Sequence, residues 1–147
     1  MGDQEMIVVG VDESAESIEA LRVAIAEALG RGSRLRVVSA FTPSKVFAGR
    51  YNVPIALSDD EVSRNVEAEL RPLVEREIPA ERALTFEVAA VPGSAGAVLI
   101  DESRSAALLV VGHRGRGGVA RAALGSVAMQ CVLHAECSVM VVRNAAR

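Results

Sequence analysis

Aromatic side chains are nearly missing from this chain: among 147 residues there is no tryptophan, one tyrosine and three phenylalanines. Half of the residues are nonetheless apolar. The core must therefore be assembled from Val, Leu, Ile and Ala, which suits parallel strands buried under helices. Long apolar runs are lacking as well. The longest extend over about five or six residues, far short of the roughly 20 needed to cross a bilayer. The opening residues, MGDQEM, set no basic region before an apolar one. A soluble, cytoplasmic protein without membrane partners is expected. There is no excess of positive charge either. A net charge of −3 with both signs scattered argues against an extended surface for nucleic acid. Cysteine is scarce, and Cys131 and Cys137 fit no metal-ligand spacing. In a reducing compartment they are either packing residues or a redox pair.

What is present points to one domain spanning 1–147, since this length buries a real core but leaves little room for two. Met6 to Val11 is an apolar run of the kind covered on both faces. Asp12 and Ser14 follow it and can cap a helix carrying Ile18, Leu21, Ile25, Ala28 and Leu29, which Gly30 and Gly32 end. Leu35 to Ala40 reads as a second strand, parallel to the first because a helix connects them. Residues 41–57 contain Pro43, Gly49 and Pro54 and show no clear period. Phe41, Phe47 and Tyr51 in this segment either pack over the domain edge or close a lid over a ligand. Ser58 and Glu61 form a capping box before a helix with Val62, Val66, Leu70 and Leu73 on one stripe. Pro72 inside that helix predicts a kink or a break. Leu84 to Ala90 alternates like an edge strand, a helix spans about Ser94 to Arg104, and Ala106 to Val111 is another buried strand. A last helix, Ser126 to about His134, precedes a final strand, Ser138 to Val142. Strands alternating with helices predict an α/β fold, a three-layer sandwich with helices on both faces of a parallel sheet.

Between the fourth of these strands and the last helix lies Gly112 to Ser126, GHRGRGGVARAALGS. Its glycines let the backbone approach an anion closely, and the helix that opens at Ser126 offers unpaired N–H groups and a positive dipole end. Arg114, Arg116 and Arg121 add cationic reach, and from His113 onward there are five arginines against one acid, Glu136. This is the chemistry of a phosphate cradle. His113 within it is either a general base or a solvent-facing loop residue, and no third residue is evident to orient it. His134 reads as a helix C-terminal residue favoured by the dipole.

Gly112, Gly115, Gly125 and Ser126 form the pattern G-x-x-G, nine residues, then G-S. With GVDES near the start and VLHAECSVMVV near the end, the chain resembles the ATP-binding branch of the universal stress protein family over nearly its whole length. The resemblance implies a five-stranded parallel sheet in the order 3-2-1-4-5, with ligand bound where the strand order reverses. It implies ATP as cofactor, with Mg²⁺ carried on phosphate oxygens. Asp12, at the end of the first strand beside Gly10 and Val11, would hold the ribose; read alone, it is equally a helix cap. The base would lie against Val11, with the backbone of Ala40 reading its edge. Val111, Gly112, Arg114 and Gly115 would lie beside ribose and phosphates, and Gly125, Ser126 and Val127 would bind the phosphate chain. Three positions depart from the family pattern: Glu13 where glycine is frequent, Ala107 where aspartate is common, and Ser138 where proline is common. In the family the last strand pairs with its twin, implying a homodimer through Ser138 to Val142.

The function implied is nucleotide-dependent regulation in a stress or dormancy response. Two alternatives remain at this point. One is a slow ATPase or phosphate-transferring enzyme, against which GxxxxGK[ST] is absent and no acid-base pair emerges. The other is a nucleotide-free dimeric scaffold, which would have no use for the glycines.

Overall fold

Three consecutive residues of the first strand, Ile7, Val8 and Val9, are all buried, which requires helices on both faces of the sheet. The computed structural model describes residues 4–42, 57–114 and 124–143 in full, and the backbone of 46–48 and 53–55. Its elements are β1 (Met6–Gly10), α1 (Ala15–Arg31), β2 (Arg34–Phe41), β3 (Val46–Ala48), β4 (Val53–Ile55), α2 (Asp59–Glu77), β5 (Phe86–Pro92), α3 (Ala95–Ser103), β6 (Leu108–Gly112), α4 (Ser126–His134) and β7 (Ser138–Val142). The main sheet has five strands in the order β5-β2-β1-β6-β7, every pair parallel. Counted along the chain within that sheet, this is the expected order 3-2-1-4-5.

Side chains alternate across a strand, and here the alternation sorts the core into two layers. Ile7, Val9, Leu35, Val37, Leu108 and Val110 point to one side, where they meet Leu21 and Ile25 of α1 and Leu70 and Val74 of α2. Val8, Val38, Leu109 and Val111 point to the other, against Val98 and Leu99 of α3 and Ala128 and Cys131 of α4. Branched aliphatic residues fill both layers, as the dearth of aromatics demands. Arg36 of β2 ties α3 to the sheet through a two-point pair with Glu102, 2.7 and 3.0 Å. Ser103 at the end of α3 accepts from the Glu136 N–H at 2.9 Å, joining α3 to the turn after α4.

The helix ends follow local chemistry. Ser14 caps α1 by accepting from the Ser17 N–H, and the helix stops at Gly32, whose φ of 65° is the left-handed conformation glycine adopts without strain. Gly30, expected to share in that stop, lies inside the helix. Ser58 caps α2 by accepting from Glu61 N–H at 3.2 Å. Of the kink or break expected at Pro72, the break does not occur, because α2 is continuous from Asp59 to Glu77. Pro72 is exposed, so the bond it forgoes to the Ala68 carbonyl lies on the solvent side, while buried Leu70 and Val74 hold the helix to the core on either side of it.

Residues 41–57, which showed no period in the sequence, contain a short antiparallel pair, β3 with β4, in which Val46 faces Ile55. Phe41 ends β2, while the side chain of Phe47 and the whole of Tyr51, and with them the question of a lid, lie outside the described residues. Cys131 and Cys137 are free thiols. Burial, with Cys137 nearby, pushes the Cys131 thiol up to about 11, and burial raises Cys137 also. Both are therefore protonated at neutral pH, which suits packing and not thiolate chemistry.

Because Pro72 weakens α2 without contributing to the core, Pro72→Ala is expected to stabilise the fold by about 1–3 kcal/mol. Urea unfolding measures this directly; a loss of stability would show that the proline is required for the path of α2.

Candidate functional site

The strand order reverses between β1 and β6: α1 and α2 cover one face, α3 and α4 the other. Beyond the C-terminal ends of β1, β2 and β6 this leaves a cleft, the place where open α/β sheets hold ligands. Its walls come from four sources. The end of β1 and the corner after it contribute Gly10, Val11, Asp12, Ser14 and Ser17; β2 contributes Val38 and Ala40; the end of β6 contributes Val111, Gly112 and Arg114; α3 and α4 contribute Ala95, Leu99, Val127 and Ala128.

The backbone of Ala40 opens onto this space. The Val38 carbonyl accepts from Val11 N–H at 2.9 Å, and Arg34 N–H donates to Glu5, so the even-numbered residues of β2 turn their peptide groups toward β1. The odd-numbered ones turn toward β5, as the Phe41 carbonyl does in accepting from Gly93 N–H. By this period of two, the N–H and C=O of Ala40 point past the end of β1 into the cleft. Val11, Val38, Ala95 and Leu99 surround that opening with apolar surface.

The corner after β1 is tightly bonded. Asp12 Oδ1 accepts from the Ser14 hydroxyl at 2.5 Å and from Ser14 N–H at 3.0 Å, and Asp12 N–H donates to Ser17 Oγ at 3.2 Å. Ser14, not Asp12, is the helix cap; Asp12 orients it. Glu13 between them has φ 72°, a left-handed conformation that costs a residue with a side chain about 1 kcal/mol. This is the physical reason a glycine suits the position.

Three helix N-termini meet at the cleft, and they differ. The start of α1 is capped by its own Ser14 and carries Glu16 in its first turn. Neither α3 nor α4 has a side-chain cap or an acid in its first turn, so their first-turn amides and dipole ends keep their attraction for an anion. On the rim, Arg114 lies 3.8 Å from Glu16.

Two glycines on the strand ends make the close packing possible. A Cβ at Gly10 would lie 2.7 Å from Leu99 Cδ1, and one at Gly112 would lie 2.9 Å from the backbone carbonyl carbon of Glu16. Gly112 thus lets the first turn of α1 rest directly on the end of β6.

A model of the universal stress protein family matches residues 5–143. The chain belongs to that family. A universal stress protein of Mycolicibacterium smegmatis is 33% identical over 140 residues, covering 94% of this chain and 48% of the relative. One of Mycobacterium tuberculosis is 37% identical over 142 residues, covering 92% and 47%. The chain spans about half the length of the curated relatives it matches. Among solved structures, a universal stress protein in complex with cAMP is 25% identical with a TM-score of 0.67, covering 96% of this chain and 98% of that one. One from Archaeoglobus fulgidus in complex with dAMP shares the fold at 21% identity, with a TM-score of 0.61, covering 94% and 97%.

In this universal stress protein, the residues singled out by sequence fall into three groups. Gly10, Val11, Asp12, Ala40, Val111, Gly112, Arg114 and Val127 line one cleft. Gly125 and Ser126 are the cap and first residue of α4 beside it but do not line it. Gly115, with the rest of residues 115–123, lies outside the described residues. His113 does not line the cleft either: its N–H donates to the Val142 carbonyl at 2.8 Å, and its Nε2 lies 3.3 Å from Arg143. An arginine only donates, so that nitrogen accepts, and the ring serves the end of β7.

Sequence reasoning missed Ala95 and Leu99, the α3 wall. Gly10, a lone glycine closing an apolar strand, was the available signal, because glycine there often marks the close approach of another element.

Gly112→Ala is expected to cost about 1–3 kcal/mol of stability with no ligand present, as overpacking does, because the obstacle is the main chain of α1. Thermal unfolding of the unliganded variant measures it. Unchanged stability would mean that α1 moves aside freely and that the contact does not shape the cleft.

Proposed function

We propose that this universal stress protein binds an adenine nucleotide in the cleft, ATP being the cofactor its sequence motif implies, and acts as a nucleotide-dependent regulator in a stress response. The observation that carries this reading is the pairing of two complementary features in one crevice. The Ala40 peptide groups offer a donor and an acceptor beside apolar surface, as the edge and faces of a base require. The uncapped starts of α3 and α4 offer amides without competing carboxylates, as phosphate requires. Asp12, bonded to Ser14, lines the same cleft, where ribose hydroxyls would donate to it. The cAMP complex of a related universal stress protein supports the same reading. Mg²⁺ would travel with ATP on phosphate oxygens; among the described residues no three His, Cys, Asp or Glu side chains gather to hold a metal. No helix among them is long and apolar enough to cross a membrane.

The chain is further proposed to act as a homodimer through β7. That strand lies at the sheet edge, and its residues Val139, Met140 and Val141 are only half-buried. Antiparallel pairing of two β7 strands about a twofold axis normal to the sheet would bring both α4 helices to the same face. The exposed apolar side chains of α4, Met129, Val132 and Leu133 (44, 50 and 65% exposed), would then find cover.

Calorimetric titration with ATP, AMP and cAMP tests the first proposal. Binding is expected, with Asp12→Ala weakening it by about 10-fold or more through loss of a charge-assisted hydrogen bond. Absence of heat with all three would end the nucleotide reading. For the second, sedimentation of the purified chain should give a dimer that Leu133→Glu converts to monomer, whereas a monomeric parent protein would refute it.

A further inference from the structure

The two edges of the main sheet, β5 on one side and β7 on the other, are not alike. An edge strand turns every second peptide group outward, where it can pair with a strand from another chain. In β5 the odd-numbered residues bond β2, since Leu35 N–H donates to the Thr85 carbonyl and Gly93 N–H donates to the Phe41 carbonyl. The peptide groups of Phe86, Val88, Ala90 and Pro92 therefore turn outward.

Three side chains of α2 meet that edge. Ser63 Oγ donates to the Ala90 carbonyl at 3.0 Å, and Glu67 accepts from Ala90 N–H at 3.2 Å. Arg71 lies over the Phe86 ring, 5.5 Å from its centre. Successive members of this trio are one helical turn apart, so they form one stripe along α2, beside Leu70 and Val74, which anchor the helix in the core. Both polar groups of Ala90 are thus bonded by side chains, as a neighbouring strand would bond them, and Ala90 is only 6% exposed. Pro92 has no N–H to offer a partner. What remains of the edge runs from Phe86 to Val88, short of the roughly five or six residues of an ordinary strand.

β7 is not closed in this way. His113 N–H donates to the Val142 carbonyl, so the even-numbered residues of β7 face β6, and the peptide groups of Val139 and Val141 turn outward. Among the described residues no side chain bonds them.

We infer that Ser63, Glu67 and Arg71 form a seal that keeps β5 from adding a strand of a second copy of this chain. Were both edges open, each copy could accept a strand on either side, and association would not close. Only α2 and β5 are involved, so neither the nucleotide reading nor the β7 dimer is required.

The test compares the full chain with Glu67→Gln, Glu67→Ala and Ser63→Ala/Glu67→Ala, by NMR amide exchange and by sedimentation equilibrium over a range of concentrations. Glu67→Gln retains an acceptor for Ala90 N–H and should match the parent in both. In the double variant the Ala90 amide should exchange about 10-fold faster, the worth of one hydrogen bond. A species of twice the parent's mass should then grow with concentration, and the outward-turned Val88 amide should become protected as it forms. Glu67→Ala leaves Ser63 in place and should move both readouts the same way to a smaller extent, which decides the matter if the double variant does not fold. Parental exchange at Ala90 in the alanine variants would show that these bonds do not cover the edge. Faster exchange with the parental mass at every concentration would show that they do not govern association, and growth in mass with Val88 unprotected would place the new contact elsewhere. Each of these three results overturns the seal.

Discussion

A backbone carbonyl carbon of one helix lies where the side chain of Gly112 would be, and the shape of the site follows from that contact. With only a hydrogen at Gly112, the first turn of α1 settles on the end of β6, closing the crevice that the strand order opens. The contact fixes the corner after β1, with Asp12 bonded to Ser14 and Ser17, and delivers Glu16 to Arg114. Gly10 plays the matching part on the other face, admitting Leu99 of α3 against the end of β1. Two absent Cβ atoms thus allow helices from opposite layers to converge on one point. Neither glycine has a positive φ; both are there for room and not for conformational freedom.

The functional asymmetry of the site comes from how its helices begin. A helix that caps itself spends its first-turn amides internally, as α1 does through Ser14. One that begins without a capping side chain, as α3 and α4 do, leaves them for a ligand. The cleft is therefore attractive to anions on one side and acidic on the other.

Much of this was legible in the residues, for identifiable reasons. Strands β1, β2 and β6 are buried on both faces, so their apolar runs are continuous and hard to mistake, and the helices between them force parallel pairing. Ser14 and Ser58 announced their helices because capping is local chemistry. The strand order came only from the resemblance carried by Gly112, Gly115, Gly125 and Ser126, since nothing in a single strand specifies its neighbour. Where sequence reasoning failed, tertiary contacts overrode local preference. Pro72 reads as a kink or a break, and the break is avoided because the proline lies on the exposed side of a helix held by Leu70 and Val74. The β3–β4 pair lies within a stretch whose short strands leave no period to detect. The α3 wall was invisible because Ala95 and Leu99 look like ordinary helix residues until Gly10 is seen to make way for them.

The central claim is that main-chain groups, chiefly those of Ala40 and the first turn of α4, receive an adenine nucleotide. Residue-resolved amide shifts in an NMR titration of the labelled protein with AMP test it most directly. The amides of Ala40, Val127 and Ala128 are expected to move together and saturate with one affinity, with β4 and the far ends of the strands unmoved. Shifts confined to other surfaces, or none at all, would contradict the account.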